Sequence, residues 1–337
     1  MFKGFTDGVP LDIDEIAGLA LLPDVESRLI QTRETNGKTD YLVSQDPVTE
    51  ERLANLGPRD WTLLVHDVDK HLPDLRQIFD HFEMVPDWLL DDLMISIAAP
   101  GGSVGPHTDS YDVFLLQGDG ERRWSTGMIG TPVSDHPLRL VTKPAFDQQF
   151  DCSMGDLLYV PPGHIHHGVA ETLCSTWSIG FQAPLLRDIA AMTNAVLPET
   201  LQDARYDPIL PTHAPSPGLI PMDAVAHIPI NAKPEALVTA LGQLVTTCKT
   251  SLRPDSPSAA DFDAIADPLH VHGYSRLAYA LMRETLLVFA NGQVATFNRP
   301  MQSVIADLCT RRLSSPHPDH QDLYQWLFGV GVFDFTD

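Results

Sequence analysis

Cysteine is scarce in this chain, and what there is stands apart: Cys152, Cys174, Cys248 and Cys309 form no CxxC pair. That excludes a zinc finger and a disulfide framework, both of which need closely spaced or numerous thiols. Long apolar runs are also missing, and none approaches the roughly 20 residues that a membrane-spanning helix needs. The opening MFKGFTDGVP lacks the apolar core of a signal peptide, so the expected location is the cytoplasm. Cations are few: 22 Lys and Arg stand against 45 Asp and Glu, a formal net charge of −23. Phosphate backbones are bound by clustered Lys and Arg, so a general nucleic-acid binder is excluded. A basic macromolecule, by contrast, would be attracted.

What is present is enough chain, 337 residues, for one large domain with an appendage or for two of ordinary size. LDIDEIAGLALLPDVESRLI from Leu11 and DKHLPDLRQIFDHF from Asp69 carry the spacing of amphipathic helices. From Trp88 the texture changes to short β-rich runs split by Gly and Pro: DDLMISIAAPGG, YDVFLLQGDG, LRLVTK, DLLYVPPG and STWSIGFQAP. That pattern predicts a sandwich or barrel. LLRDIAAMTNAVLPET from Leu185 reads as helix, and the five prolines between Arg205 and Met222 predict a linker or extended arm. KPEALVTALGQLVTTCKTSL is a further helix, and RPDSPSAADFD a further break. Asn291-Gly292 between two apolar runs is a hairpin signal. With the helical MQSVIADLCTRRL and the apolar DLYQWLFGVGVF it suggests a small winged-helix-like domain without a basic face for DNA.

The chemistry concentrates in GPHTDSYDVFLLQGDGERRW, Gly105 to Trp124. On one strand, His107, Asp109 and Tyr111 would point the same way by the period of two. An imidazole and a carboxylate so placed need one more histidine to form the facial triad of non-haem Fe(II) oxygenases. YVPPGHIHHG offers three: His164, His166 and His167. Arg122 and Arg123 follow a Gly118-Asp119-Gly120 turn, at the end of the strand that the ligands begin. A cation inside a barrel needs an anion, and a dicarboxylate co-substrate would take a bidentate guanidinium. In LMISIAAPGG the period of two puts Asp92, Met94 and Ser96 on one face. Asp92 is then either a turn cap or the counter-charge for a cationic substrate group.

VPDWLLDDLMIS, GPHTDSYDVFLLQGDGERRW, GDLLYVPPGHIHHG and WSIGFQAP together closely resemble the bacterial JmjC-type ribosomal oxygenases, and a looser likeness runs from about Leu11 to the C-terminus. These enzymes use Fe(II), 2-oxoglutarate and O2 to 3-hydroxylate an arginine of large-subunit ribosomal protein sixteen. The resemblance implies a mainly β fold with α elements. Its core would be a double-stranded β-helix, the jelly-roll of the cupin and JmjC proteins, followed by a helical middle region and the winged-helix-like C-terminal domain. The expected division is an N-terminal helical or mixed segment packing on the barrel (1–87), the catalytic core (88–184), a helical dimerisation region with the Pro-rich arm (185–250) and the C-terminal domain (251–337).

Carried over by position, the resemblance makes His107, Asp109 and His166 the iron ligands, the last because the family reads PPG-x-x-H. Ser96 and Arg122 would hold 2-oxoglutarate, and Asp92, Met94, Tyr111 and Ser178 would line the arginine pocket. It further implies a homodimer, a basic ribosomal protein as substrate, and relatives with an extra strand and helix ahead of the segment that begins at Met1. His164 and His167 depart from the pattern, and Arg123 has no role in it. Two alternatives stay open. One keeps the cofactors and changes the target to histidine, asparagine or lysine; the other is a non-catalytic cupin binding module. Asp92 speaks for a guanidinium, and the triad together with Arg122 speaks for catalysis.

Overall fold

The computed structural model describes residues 1–44, 46–134, 136–208, 216–248 and 268–334. The chain divides into two units, Met1–Leu75 with Asp91–Gln182, and Arg76–Leu90 with Ala183–Asp337. The break predicted in RPDSPSAADFD and the centre of the Pro-rich arm, 209–215, lie outside the described residues.

The first unit is built on two antiparallel sheets. Its strands are β1 (Ser27–Thr35), β2 (Lys38–Val43), β3 (Trp61–Val65), β4 (Leu90–Ala98), β5 (His107–Thr108), β6 (Asp112–Gln117) and β7 (Arg122–Gly127). They continue with β8 (Ile129–Pro132), β9 (Val141–Ala145), β10 (Gln148–Cys152), β11 (Leu157–Val160), β12 (Ile165–Ala170) and β13 (Cys174–Phe181). The large sheet runs β11-β6-β13-β4-β3-β1-β2, the small one β10-β7-β12-β5, and β8 pairs with β9 as a separate hairpin. Alternation drives the layering. Val113 and Leu115 of β6 and Leu158 and Val160 of β11 meet Trp124 of β7 and Cys152 of β10 in one buried cluster, so the two sheets face each other as in a jelly-roll. β13, buried along its whole length, lies inside the large sheet.

The N-terminal segment does more than pack on the barrel, because β1, β2 and β3 extend the large sheet itself. Two helical readings there are corrected. The first helix, α1 (Ile13–Leu19), is closed at its start by an Asp12–Glu15 capping box and ends well before SRLI, which begins β1. The stretch from Asp69 is not one helix either. α3 (Val68–His71), which follows the short α2 (Glu50–Ala54), stops ahead of Pro73, and Pro73–Phe82 continues as 3-10 turns. Pro73 has no N–H to give to a continuing α-helical ladder.

The second unit holds α4 (Leu186–Met192), α5 (Pro234–Val245), β14 (Leu269–His270), β15 (Leu277–Met282), β16 (Thr285–Ala290), β17 (Gln293–Asn298), α6 (Gln302–Arg311), β18 (Leu313–Ser314) and α7 (Gln321–Gly329). β15, β16 and β17 form a meander whose second turn is Asn291-Gly292, both with positive φ, as a type I′ hairpin requires. Tyr279, Val288, Ile305, Leu323 and Phe328 pack α6 and α7 against it. Gly242 lets α5 approach closely, since a Cβ there would meet the Phe289 ring at 2.4 Å.

Candidate metal centre and its cavity

His107 on β5 and His166 on β12 stand opposite each other in register, with ring centroids 4.1 Å apart. His107 Nδ1 lies 2.9 Å from Gly105 O, and His166 Nδ1 lies 3.1 Å from His164 O. A carbonyl oxygen only accepts, so each Nδ1 carries the proton and each Nε2 keeps its lone pair. The carboxylate of Asp109 completes the group, its Oδ2 standing 3.4 Å from His166 Nε2 and 3.9 Å from His107 Nε2. One ligand atom from each residue lies within 4.8 Å of the others. Burial, reinforced by the neighbouring His107, holds the His166 imidazole well below its usual pKa, which keeps it neutral. Two imidazoles and a carboxylate fit a divalent transition metal with positions left open.

Asp109 reaches this point by a route other than strand alternation. β5 is only two residues long, and Asp109, Ser110 and Tyr111 cross from the small sheet to β6 in the large one. The Gly163 N–H donates to Asp109 O at 2.7 Å, so that carbonyl is engaged by the Pro161-Pro162-Gly163 turn. The bend ties the Asp109 loop to the turn that leads into β12, bringing the ligands together from both sides.

Arg122 opens β7, where it pairs with Cys152 of β10 and Ala170 of β12, and so does not end the strand on which the ligands lie. Only 5% of it is exposed. Its Nη1 donates to Ser96 Oγ at 3.3 Å, while Nε and Nη2 have no hydrogen-bond partner among the described residues. Trp124 lies on the same face two residues on, its ring 5.7 Å from the guanidinium carbon. Gly168 leaves room for that indole, since a Cβ would meet it at 2.7 Å. A buried guanidinium with unmet donors is a receptor for an anion, and a carboxylate fits it.

The opposite wall comes from the large sheet. Asp92, Met94 and Ser96 do share one face of β4, and Ser178 and Gly180 project from β13. The nine residues given a site role in the sequence, Asp92, Met94, Ser96 and Ser178 together with His107, Asp109, Tyr111, Arg122 and His166, line one cavity of about 290 Å³. Burial raises the Tyr111 hydroxyl pKa, and Asp109 and Asp92 add to it, so the phenol stays protonated as a donor. A Cβ on Gly180 would come 3.3 Å from the Tyr111 ring and 3.5 Å from Asp92 Oδ1. The sequence reading missed Trp124 and Gly180, although the same period of two, counted from Arg122 and Ser178, leads to both. It also missed Arg28, His66 and Arg139, which line the cavity from β1, the end of β3 and the β8–β9 connection. None of the three carries a local signal.

The JmjC domain family matches residues 77–189. Over 279 residues, 78% of its length, the chain is 36% identical to ribosomal protein uL16 3-hydroxylase of Escherichia coli (strain K12), covering 72% of that protein. The chain belongs to the JmjC ribosomal oxygenases. This oxygenase is also 37% identical over 185 residues, 53% of the chain, to a probable ribosomal oxygenase of Haemophilus influenzae, covering 44% of it. The X-ray structure of E. coli YcfD matches 99% of the chain and 93% of its own at TM-score 0.69 and 28% identity. YcfD in complex with cobalt and 2-oxoglutarate matches all of the chain and 93% of its own at TM-score 0.66 and 28% identity.

Three residues of the oxygenase left without a role by the sequence lie off the cavity lining. Arg123 turns to the outer face of β7, where Nε donates to Asp151 at 2.8 Å and Nη1 to Glu171 at 2.9 Å. His167 faces away from His166 on β12, its Nε2 3.3 Å from the Tyr41 hydroxyl and its ring stacked on Phe146. Burial, then the nearby His107, pulls its pKa down to about 4. His164 orients His166 through its backbone carbonyl, while its own buried Nδ1 has no hydrogen-bond partner among the described residues.

Proposed function

We propose that this oxygenase uses Fe(II), 2-oxoglutarate and O2 to hydroxylate the β-carbon of an arginine in the ribosomal protein uL16. The observation that carries the reading is one cavity lined by both a buried, incompletely bonded guanidinium, Arg122, and a carboxylate, Asp92. The first suits the anionic co-substrate and the second a cationic side chain. YcfD, whose structure with cobalt and 2-oxoglutarate matches the chain, and the E. coli uL16 3-hydroxylase support the same chemistry and target.

His107 and His166 would hold the metal through Nε2, and Asp109 through its carboxylate. Arg122 and Ser96 would take the far carboxylate of 2-oxoglutarate. When bound, metal and co-substrate supply the activation of O2 and the oxidising power. The chain's own share is placement. Asp92 would meet the guanidinium, Met94 and Tyr111 the aliphatic stem, and the Ser178 hydroxyl the remaining polar edge of the substrate. Val113, Leu115 and Trp124 form an apolar lining that excludes water and strengthens these charge contacts. The −23 charge complements a basic, RNA-binding substrate protein and speeds encounter. The reading assigns catalysis to 88–184, dimerisation to the helical region in 185–250 and the site of action to the cytoplasm, on the strength of the family resemblance.

The test is succinate formation by the purified protein with Fe(II) and 2-oxoglutarate. A uL16-derived arginine peptide should stimulate it and gain one oxygen atom by mass spectrometry. Absence of both stimulation and product would defeat the reading, and preferential turnover of a histidine, asparagine or lysine peptide would replace the target. Asp92→Asn should raise the KM for the arginine peptide by about tenfold or more, the cost of leaving a buried charge unpaired.

A further inference from the structure

β4 is paired to β3 only over its second half, the last register pair being Val65↔Ile95. Beyond that point β3 is gone. The chain turns away through Asp67, which adopts a left-handed conformation at φ 54°, and enters α3. The stretch of β4 from Asp91 to Met94, which carries Asp92, thus lies beyond the β3 register. Two α3 side chains reach its backbone there. Asp69 Oδ1 accepts the Leu93 N–H at 2.9 Å, and Lys70 Nζ donates to Asp91 O at 3.0 Å. The same two residues are ion-paired to each other at 2.6 Å, with side chains 0% and 9% exposed. The backbone groups pinned in this way lie immediately before and immediately after Asp92.

We infer that the Asp69–Lys70 pair is a positioning device for Asp92, and through it sets the preference of the enzyme for a cationic substrate side chain. This rests on the reading of Asp92 as the guanidinium partner. A buried ion pair is costly to desolvate, and replacing one with apolar residues is often neutral or stabilising. Here each member has a second task that no apolar pair could perform: one accepts from an N–H, the other donates to a carbonyl. The Asp91 side chain adds a third tether, accepting from Gln182 Nε2 at 2.7 Å, and Gln182 follows β13 directly. Asp92 is therefore held from the α3 side and from the β13 side, while its own side chain lines the cavity. A charge-assisted hydrogen bond loses strength when its geometry drifts, so a rigid mount for this carboxylate translates into discrimination.

The experiment compares kcat/KM for the arginine peptide with kcat/KM for the same peptide carrying citrulline, a neutral isostere. It is run on the full chain, on Asp92→Asn and on Lys70→Met, with the KM for 2-oxoglutarate as the measure of site integrity. Asp92→Asn should abolish the preference for arginine. Lys70→Met should reduce that preference by about tenfold while the KM for 2-oxoglutarate holds, and Lys70→Arg should restore most of it. In the Asp92→Asn background Lys70→Met should change the preference no further, because the two act as one unit. If Lys70→Met fails to fold, Asp69→Asn, which keeps the side-chain shape, reads the same ratio. A lowered Tm with the arginine preference intact would overturn the inference and leave the proposed function standing. If Asp92→Asn itself keeps the preference, the guanidinium role of Asp92 fails and the inference falls with it.

Discussion

Arg122 and Arg123 are consecutive residues on one strand, and they sit in opposite environments. Arg123, on the outer face, has two carboxylates within 3 Å and is open to water. Arg122, on the inner face, has a serine hydroxyl and, among the described residues, no carboxylate, and is buried. Exposed ion pairs are screened by solvent and lose side-chain entropy, so the well-partnered arginine contributes little. Burial without full partnering is costly, and a fold keeps such a group where a ligand completes it. Incomplete bonding, not abundance of partners, marks the member of the pair proposed to meet the co-substrate. β12 repeats the contrast with His166 turned inward to Asp109 and His167 turned outward to Tyr41 and Phe146.

The contrast breaks if inner and outer members respond alike. The largest effect is expected for His166→Ala, which should lower metal affinity and succinate formation by at least about a hundredfold, more than loss of an outer-shell partner costs. Metal titration checks it. Next comes Arg122→Met, which should raise the KM for 2-oxoglutarate by about ten- to a hundredfold and leave metal affinity in place. Equal loss of both would remove its assigned role. A smaller effect concerns His167, whose pKa of about 4 lies below that of a free imidazole. Its unfolded form takes up a proton below about pH 6.5 while the folded form does not until about pH 4. Its contribution to stability is therefore present above pH 6.5 and lost as the pH falls through this window, with a slope of at most about 1.4 kcal/mol per pH unit. Denaturant titrations at pH 7.5 and pH 5 should show a shallower pH dependence in His167→Gln. Smallest of all, Arg123→Ala should leave succinate formation unchanged and barely move Tm.

The period of two was legible wherever a strand was long enough to express it. It placed Asp92, Met94 and Ser96 on one face of β4 without any knowledge of the fold, and Asn291-Gly292 announced its hairpin. It misled at His107, where the residues form a bend between sheets; the hydrogen bond that engages Asp109 comes from Gly163, more than fifty positions away. Pro73 was a visible stop signal that the helical spacing around it concealed. Arg28, His66 and Arg139 could not be found, because what brings them to the cavity is sheet order, which no local pattern encodes. Lys70 was hidden for a related reason. Its partner carbonyl belongs to Asp91, across the turn where β3 gives way to α3.

β5 is two residues long, and its register with β12 consists of Ile165↔Thr108 and His166↔His107. One of those two pairs is made of the two imidazoles that would share the metal. Occupancy would therefore act as a rivet, adding a cross-link where the paired strand is only two residues long and joining segments far apart in sequence. Amide exchange across 107–111 should slow on metal loading more than in any strand of the large sheet, and metal supply would then govern the local order of the enzyme as well as its turnover.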